Sequence, residues 1–211
     1  MNCEQIEESE TSQFYFIGNL LCLDFVNTEV EAENRKKPFV SNFAELVAWI
    51  IDAKIANKEI VEFHLHSWSE EIRVEALRLC LQFREALAQM TRIIVDNESI
   101  LTENLLDINR WLGSRRGYRI IEQSKNGFEE NFKFDEEKSS TSLNKFMYPI
   151  AESAVELLVH CDLKRVKQCE SEHCSLYFYD TSKNQSRRWC SMMHCGNRNK
   201  VAAHYRRKRN E

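Results

Sequence analysis

The hydrophobic positions in the N-terminal part of the chain follow the spacing of amphipathic helices. Between residues 43 and 51 they recur at intervals of three and four, which places their side chains on one face of a helix. Asn42 precedes this pattern and Glu45 follows three residues later, so the two can form a capping box. We therefore predict a helix that begins after Asn42 and buries one face.

Two further helices are predicted from the same kind of pattern. Ser67 and Glu70 precede a long segment, ending near Val95, in which apolar positions recur among charged ones at helical spacing. A shorter helix is predicted from about residue 99 to residue 112, with Gly113 placed to end it. The N-terminal part of the chain is therefore expected to be mostly helical.

A hairpin is predicted where helical spacing gives way to short runs of aromatic and β-branched residues. The runs cover residues 118–123 and 128–134. Asn126-Gly127, a dipeptide typical of tight hairpin turns, lies between them. The spacing thus indicates two antiparallel strands joined by a short turn.

The last helical segment and the composition complete this prediction. Helical spacing returns over residues 143–158, where Pro149 either kinks the helix or begins a second one. Only five Gly and two Pro are present among 211 residues, which favours helices over a turn-rich β architecture. The predicted fold class is mainly α with a small β-hairpin, as a helical N-terminal domain plus a small C-terminal module.

The sequence contains no recognisable targeting or membrane segment. Its first ten residues have neither the basic nor the apolar region of an export signal. No later stretch approaches the roughly 20 apolar residues that a membrane span needs. We expect a soluble, cytoplasmic protein that does not enter the membrane. In a reducing compartment, its eight cysteines favour free thiols and metal binding over disulfides.

Charge is distributed unevenly along the chain. The formal net charge is −4, yet residues 164–211 contain twelve Lys and Arg against four Asp and Glu. The preceding residues are therefore strongly acidic. We place a domain boundary at this change, with a helical domain over residues 1–163 and a basic module over residues 164–211.

Four cysteines of the basic module have the spacing of a zinc site. Cys169 and Cys174 form one C-x4-C pair, and Cys190 and Cys195 form a second after fifteen intervening residues. Each pair can hold one side of a zinc ion. We predict one structural zinc ion with four thiolate ligands, which leaves no open position for catalysis. Four ordinary buried cysteines are the alternative.

The spacer between the two cysteine pairs is long enough for a β-hairpin. Residues 176–179 are predicted as a strand, residues 180–184 as the turn and residues 187–189 as the returning strand. His173 and His194 each lie beside a cysteine, but a histidine ligand would break the symmetry of the two pairs. The predicted ligands are therefore all sulfur, and the small C-terminal module is predicted to be zinc-ribbon-like.

Two segments resemble a known family. Residues 187–209, RRWCSMMHCGNRNKVAAHYRRKR, with FYDTS at residues 178–182, resemble the C-terminal zinc finger of the bacterial CGNR family. The phrase GNLLCLDFVNT, residues 18–28, resembles the opening of the mainly helical ABATE domain that usually precedes this finger. Family members are regarded as stress-related transcription regulators whose finger binds DNA. The resemblance implies the same two-part fold, zinc binding and DNA binding for this chain.

The basic residues around and after the zinc motif make DNA the leading predicted partner. After Cys195 the sequence can enter a helix that is basic on almost every face. Lys and Arg at this density attract the phosphate backbone, and the planar arginine fork also pairs with guanine. A solvated tail, or one that folds back on the acidic domain, is the alternative. The candidate nucleic-acid contacts are Arg187, Arg188, Asn197, Arg198, Lys200, Arg206, Arg207, Lys208 and Arg209.

A second candidate site lies in the N-terminal domain. Asp24, Asn27 and Thr28 interrupt or follow an otherwise apolar segment. If these residues are buried they need hydrogen bonds, which a helix cap, a structural network or a ligand pocket would each supply. The sequence leaves these three interpretations open.

These features together predict a DNA-binding transcription regulator with a structural zinc finger of four cysteine ligands. One alternative is a zinc-dependent protein–protein interaction module. Another is an N-terminal small-molecule sensor that controls the finger. We do not expect an enzyme, because the sequence shows no nucleophile paired with a base, no phosphate-binding loop and no open metal site.

Overall fold

The computed structural model describes residues 14–32, 35–65, 68–113, 117–124, 127–134, 142–172 and 174–209. The helices within these residues are α1 (Leu21–Val26), α2 (Phe43–Asp52), α3 (Lys58–Leu65), α4 (Glu70–Val95), α5 (Leu106–Leu112), α6 (Ser142–Val155) and α7 (Asn197–Arg209). The strands are β1 (Glu29–Ala32), β2 (Arg35–Pro38), β3 (Gly117–Ser124), β4 (Gly127–Phe134), β5 (Val166–Gln168) and β6 (Tyr177–Tyr179). The mainly α fold class is confirmed.

The strands of the described residues form three antiparallel pairs, β1 with β2, β3 with β4, and β5 with β6. The predicted hairpin is the pair β3–β4, in which Ser124 lies opposite Gly127. Gly127 has a φ of 127°, a conformation that glycine adopts without strain. The pair β1–β2 was not predicted, because each strand has only four residues and the sequence of β2, RKKP, has no alternating apolar pattern.

The predicted start of α2 is confirmed in detail. The Glu45 backbone N–H donates to Asn42 Oδ1 at 2.9 Å, and the Asn42 N–H donates to Glu45 Oε2 at 3.2 Å. The start predicted for α4 is wrong, because Ser69 is the residue that caps the helix and receives the Ile72 N–H at 3.5 Å. Ser67 itself lies outside the described residues. A serine caps a helix only from the position directly before its first residue, which is Glu70 here.

Two other predicted boundaries agree with the structure. The helix α5 ends at Leu112, and Gly113 is its C-cap. Pro149 lies inside α6 and begins no second helix. A π-helical turn, Glu156–His160, then continues α6 toward the C-terminal module. No helix in the described part of the chain is both long and apolar enough to cross a bilayer.

The short helix α1 lies at the centre of the helical domain. It packs against α4, α6 and β6, and every residue of it from Cys22 to Val26 is buried. Phe25 contacts the fully buried Trp49 with ring centroids 4.9 Å apart. Burial of each such large apolar side chain stabilises the fold by about 1.5–3 kcal/mol. Because α1 contacts both α4 and β6, it joins the helical domain to the C-terminal module.

The hairpin predicted within the zinc module has a different second strand. The strand β6 is confirmed, but it pairs with β5, which precedes it, and Val166 lies opposite Tyr179. Residues 187–189 form no strand. The Asp180 carboxylate explains this, because it accepts the Arg187 N–H at 2.9 Å and thus holds the returning chain through a side chain.

Candidate metal centre and its surroundings

Four elements bring four cysteine sulfurs together. Cys169 follows β5, Cys174 precedes β6, Cys190 follows the Asp180 loop, and Cys195 lies in a π-helical turn, Met192–Gly196, directly before α7. All four Sγ atoms lie within 4.8 Å of one another. Three of these cysteines are buried and Cys174 is half-buried.

The sulfur spacing fits a zinc ion. The Sγ atoms of Cys174 and Cys190 are 3.7 Å apart, and those of Cys190 and Cys195 are 3.5 Å apart. A zinc ion with Zn–S bonds of about 2.3 Å at the centre of a tetrahedron requires sulfurs about 3.8 Å apart. A disulfide would require a separation of about 2.05 Å. The cluster therefore has the dimensions of a four-cysteine zinc site and not of a disulfide.

Electrostatics also favours a bound cation. Hydrogen bonds to Cys169 and Cys174, burial, and the charge of the neighbouring thiolates all raise the pKa of the Cys190 thiol far above its usual range. A hydrogen bond to Cys169 also raises the pKa of Cys174, whereas hydrogen bonds to Cys174 and Cys190 lower the pKa of Cys169. Without a cation, Cys174 and Cys190 therefore retain their protons. A divalent ion removes this penalty and allows all four to bind as thiolates. The predicted zinc cofactor is confirmed, with Cys169, Cys174, Cys190 and Cys195 as its ligands.

The zinc site is closed to other chemistry. Four sulfur ligands complete a tetrahedron and leave no position for a water molecule or a substrate. His173 lies outside the described residues, as does the side chain of His194. The zinc ion thus holds the C-terminal module together and supplies folding free energy.

The turn around Cys195 connects the zinc site to α7. Asn199 Nδ2 donates to the Cys195 carbonyl oxygen at 2.8 Å and to Ser171 Oγ at 2.9 Å. A Cβ atom at Gly196 would lie 2.8 Å from Met192 Sδ, so the turn is packed tightly against this position. Sequence reasoning missed Asn199, although it follows the CGNR motif directly. The orientation of α7 is therefore fixed by the metal-binding turn.

A buried carboxylate organises the loop between the two cysteine pairs. Asp180 is fully buried. Its carboxylate accepts from Lys167 Nζ at 2.7 Å, the Ser182 N–H at 2.9 Å and the Arg187 N–H at 2.9 Å. Burial alone would raise the pKa of Asp180, but these donors lower it well below the usual range. The loop is thus closed around an ionised carboxylate.

Arg187 faces the interior of the molecule. Its guanidinium donates to the carbonyl oxygens of Ile17 at 3.1 Å, Trp189 at 3.1 Å and Cys190. The same group lies 4.2 Å above the Phe178 ring. Burial lowers the pKa of Arg187, while the nearby charges of Cys190 and Asp180 oppose this change. This geometry argues against the nucleic-acid contact predicted for Arg187 and assigns it to the junction between the two parts of the chain.

The polar residues of the N-terminal motif lie at the same junction. Asn27 makes two hydrogen bonds with the backbone of Tyr177, because its Nδ2 donates to the carbonyl oxygen and its Oδ1 accepts the N–H, each at 2.8 Å. The side-chain amide thus binds β6 as a neighbouring strand would. The Tyr179 N–H donates to the Gly18 carbonyl oxygen at 2.8 Å, and Asn19 Nδ2 donates to the Tyr179 carbonyl oxygen at 2.8 Å. Both edges of β6 are therefore hydrogen-bonded.

Asp24 and Thr28 are also buried, and both are hydrogen-bonded within the protein. Asp24 Oδ1 accepts the Gly18 N–H at 2.7 Å, and burial raises the pKa of Asp24 to about 7. Thr28 Oγ1 donates to the Phe25 carbonyl oxygen at 2.7 Å and accepts from Arg84 at 3.2 Å. Arg84 is itself paired with Glu29 Oε2 at 2.8 Å. These bonds support the structural-network interpretation of Asp24, Asn27 and Thr28 over the ligand-pocket interpretation.

Replacement of Asn27 by alanine tests this junction. The change removes two buried hydrogen bonds and leaves both polar groups of Tyr177 without their partner, so we expect a loss of about 1–3 kcal/mol in the free energy of unfolding. Amide exchange of residues 177–179 should accelerate in the same variant. The exposed Asn109, changed to alanine, is the matched control. Unchanged exchange at β6 would contradict a joining role for Asn27.

The remaining predicted nucleic-acid residues are mostly on the surface. Arg188 is exposed, lies 5.0 Å above the Trp189 ring and pairs with Glu170 at 2.6 Å. The side chains of Arg206 and Arg207 lie outside those described. The other residues predicted to bind nucleic acid are on α7: Asn197, Arg198, Lys200, Lys208 and Arg209, all of them exposed.

The fold and the metal centre together define a zinc-finger protein with a helical N-terminal domain. The family model of the CGNR zinc finger matches residues 165–208. The ABATE model, described as "Putative stress-induced transcription regulator", matches residues 19–160. This chain belongs to the ABATE family and carries a CGNR zinc finger, as the resemblance implied. No match was found among proteins with curated descriptions.

Proposed function

We propose that this protein regulates transcription by binding DNA through α7, the basic helix that follows the zinc centre. The observation that carries the proposal is the charge of this helix, which contains six Lys and Arg and no Asp or Glu. A cationic helix without acidic residues is complementary to the phosphate backbone of DNA. Of its basic residues, Arg198, Lys200, Lys208 and Arg209 are exposed.

The attachment of α7 supports a binding role over that of a solvated tail. The Asn199 side chain bonds the first turn of the helix to Ser171 and to the Cys195 carbonyl oxygen. Cys195 is in turn a zinc ligand. A helix that is held in place before binding loses less conformational entropy when it meets DNA. The basic charges are thus presented in a fixed arrangement.

Arg188 extends the basic surface beyond α7. It is exposed, and its present partner is the exposed carboxylate of Glu170. Glu170 neighbours Ser171, the residue to which α7 is bonded. A DNA phosphate can replace this carboxylate, because both anions accept the same planar arginine fork. We therefore include Arg188 among the phosphate contacts and leave Arg187 out.

Salt-dependent DNA binding tests the proposal. Zinc-loaded full-length protein is titrated with labelled duplex DNA at several salt concentrations, beside a variant with Arg198, Lys200, Lys208 and Arg209 changed to alanine. We expect the variant to bind more weakly. The slope of its logarithmic salt dependence should fall by about 0.9 for each phosphate that it no longer neutralises.

A charge-matched control separates local contacts from overall charge. It carries alanine at four exposed basic residues of the helical domain: Lys54, Lys58, Arg92 and Arg110. We expect this control to bind DNA nearly as well as the unmodified protein. If both variants weaken DNA binding equally, the loss of affinity reflects net charge and not contacts of α7. An absence of binding at low salt would refute the proposal.

A second candidate function, protein docking, is favoured by one apolar feature of the finger. Met192 and Met193, shortly before Cys195, have exposed fractions of 52% and 68%. Exposed methionines are common at adaptable protein-binding surfaces. An affinity for a protein partner would support this alternative if that affinity does not change with salt concentration.

We place the protein in the cytoplasm, where a DNA-binding regulator and a site of four reduced cysteines are compatible. We propose no enzymatic activity, because the four sulfur ligands close the zinc ion to substrates. The small-molecule sensor is no longer favoured at Asp24, Asn27 and Thr28, whose polar groups bind within the protein.

A further inference from the structure

One stripe of α7 combines basic and apolar side chains. At about 100° per residue, Arg198, Val201, Tyr205 and Lys208 lie within about 80° of one another around the helix. We call these four residues the outer stripe. All four are exposed. With a rise of 1.5 Å per residue, the outer stripe extends over about 15 Å, the length of about four base steps.

The orientation of the outer stripe is fixed by the opposite side of the helix. Asn199 is half-buried and lies about 100–180° around the helix from the four residues of the outer stripe. Its side chain bonds to Ser171 and to the Cys195 carbonyl oxygen, which turns this side of α7 toward the zinc module. The outer stripe is consequently directed away from the module, where it can contact a partner without rearrangement of the finger.

Two members of the outer stripe, Val201 and Tyr205, combine apolar surface with high exposure. Val201 has an exposed fraction of 55% and Tyr205 of 70%. Neither side chain adds to the electrostatic attraction of α7 for phosphate, and their exposure gives up the stabilisation that burial would provide. A partner that is negatively charged and also presents apolar groups would use both kinds of side chain. The major groove of DNA is such a surface, because each thymine places a 5-methyl group there.

We propose that the outer stripe enters the major groove of duplex DNA and that Val201 contacts thymine methyl groups. Tyr205, one turn further along α7, contacts an apolar group of a neighbouring base pair. Arg198 and Lys208 bind phosphates or guanine edges at the two ends of the outer stripe. This inference rests on the proposed DNA-binding function. It assigns to Val201 the selection of thymine, while the basic residues supply affinity for any sequence.

Deoxyuridine provides a direct test of methyl recognition. The probes are duplex poly(dA-dT) and duplex poly(dA-dU), which have the same charge and pairing and differ by the 5-methyl group. Zinc-loaded full-length protein should bind the thymine duplex more tightly, by about fourfold for each methyl group that becomes buried. The salt slopes for the two duplexes should be equal, because the phosphate contacts are the same.

Two valine variants complete the experiment. Val201→Ala should show a clearly smaller preference for the thymine duplex than the unmodified protein, because its side chain has two methyl groups fewer, and its salt slope should be unchanged. Alanine preserves the helix because of its high helix propensity. Val74→Ala is the matched control, since Val74 is a valine on α4 with an exposed fraction of 58%. This control should retain the full preference for thymine.

The outcomes separate this inference from the proposed function. Equal binding of both duplexes by the unmodified protein would overturn methyl recognition and leave DNA binding intact. A thymine preference of unchanged size in Val201→Ala would overturn the role of Val201. No binding to either duplex at low salt would overturn both the inference and the proposed function.

Discussion

Cys190→Ser is expected to abolish stoichiometric zinc binding and to unfold the C-terminal module. The sulfur of Cys190 lies 3.7 Å from that of Cys174 and 3.5 Å from that of Cys195, and its loss leaves the zinc ion with three of its four ligands. Structural zinc contributes on the order of 10 kcal/mol to the folding of small zinc modules. Zinc content measured by mass spectrometry and the exchange of amides after residue 164 report the two effects.

A neighbouring cysteine provides the control for this experiment. Cys161 is half-buried and lies outside the sulfur cluster, so Cys161→Ser should retain one zinc ion per chain. Far-ultraviolet circular dichroism should keep most of its helical signal in Cys190→Ser, because the large apolar core around Trp49 and Phe83 lies in the helical domain. Full zinc occupancy in Cys190→Ser would remove this residue from the ligand set.

Arg187→Ala is expected to destabilise the protein far more than Arg188→Ala. The Arg187 guanidinium binds three backbone carbonyls and lies among the negative groups of the zinc centre and Asp180. The guanidinium is half-buried, and loss of its hydrogen bonds lowers the free energy of unfolding by about 1.5–3 kcal/mol. Arg188 is exposed, so its replacement by alanine should leave the free energy of unfolding close to that of the unmodified protein. Denaturant unfolding of the zinc-loaded proteins measures both values.

Additional measurements distinguish the roles of the adjacent arginines. Arg187→Lys should recover only part of the stability, since a single ammonium group cannot reproduce the planar arrangement of donors. Release of zinc to a chelator should accelerate in Arg187→Ala and not in Arg188→Ala. When both proteins are fully folded, DNA affinity should fall more in Arg188→Ala than in Arg187→Ala. Equal losses of stability in the two alanine variants would contradict the assignment of Arg187 to the junction.

Local signals in the sequence were sufficient for several elements. Asn42 and Glu45 cap α2 as predicted, because a capping box depends only on residues within one helical turn. The C-x4-C spacing identified the zinc ligands for a similar reason, since each pair lies on a short turn. The start of α4 shows the limit of such signals, because Ser67 and Ser69 both have the chemistry of a cap and only the actual helix start selects between them.

Long-range contacts could not be read from the sequence. Adjacent Arg187 and Arg188 look equivalent in a basic run, yet one faces the Ile17 carbonyl across 170 positions and the other faces solvent. The strand that pairs with β6 was misassigned, because strand partners depend on where Asp180 directs the chain. The helix α1 has six residues and is apolar on nearly all sides, so it shows no amphipathic period.

The bonding of both edges of β6 bears on how this protein can evolve. One edge belongs to the finger through β5, and the other is completed by Gly18, Asn19 and Asn27 of the N-terminal motif. Transfer of the finger gene segment to an unrelated protein would leave that second edge without partners. Recombination should therefore preserve the two parts as a pair, and inheritance of the finger should carry the GNLLCLDFVNT segment with it.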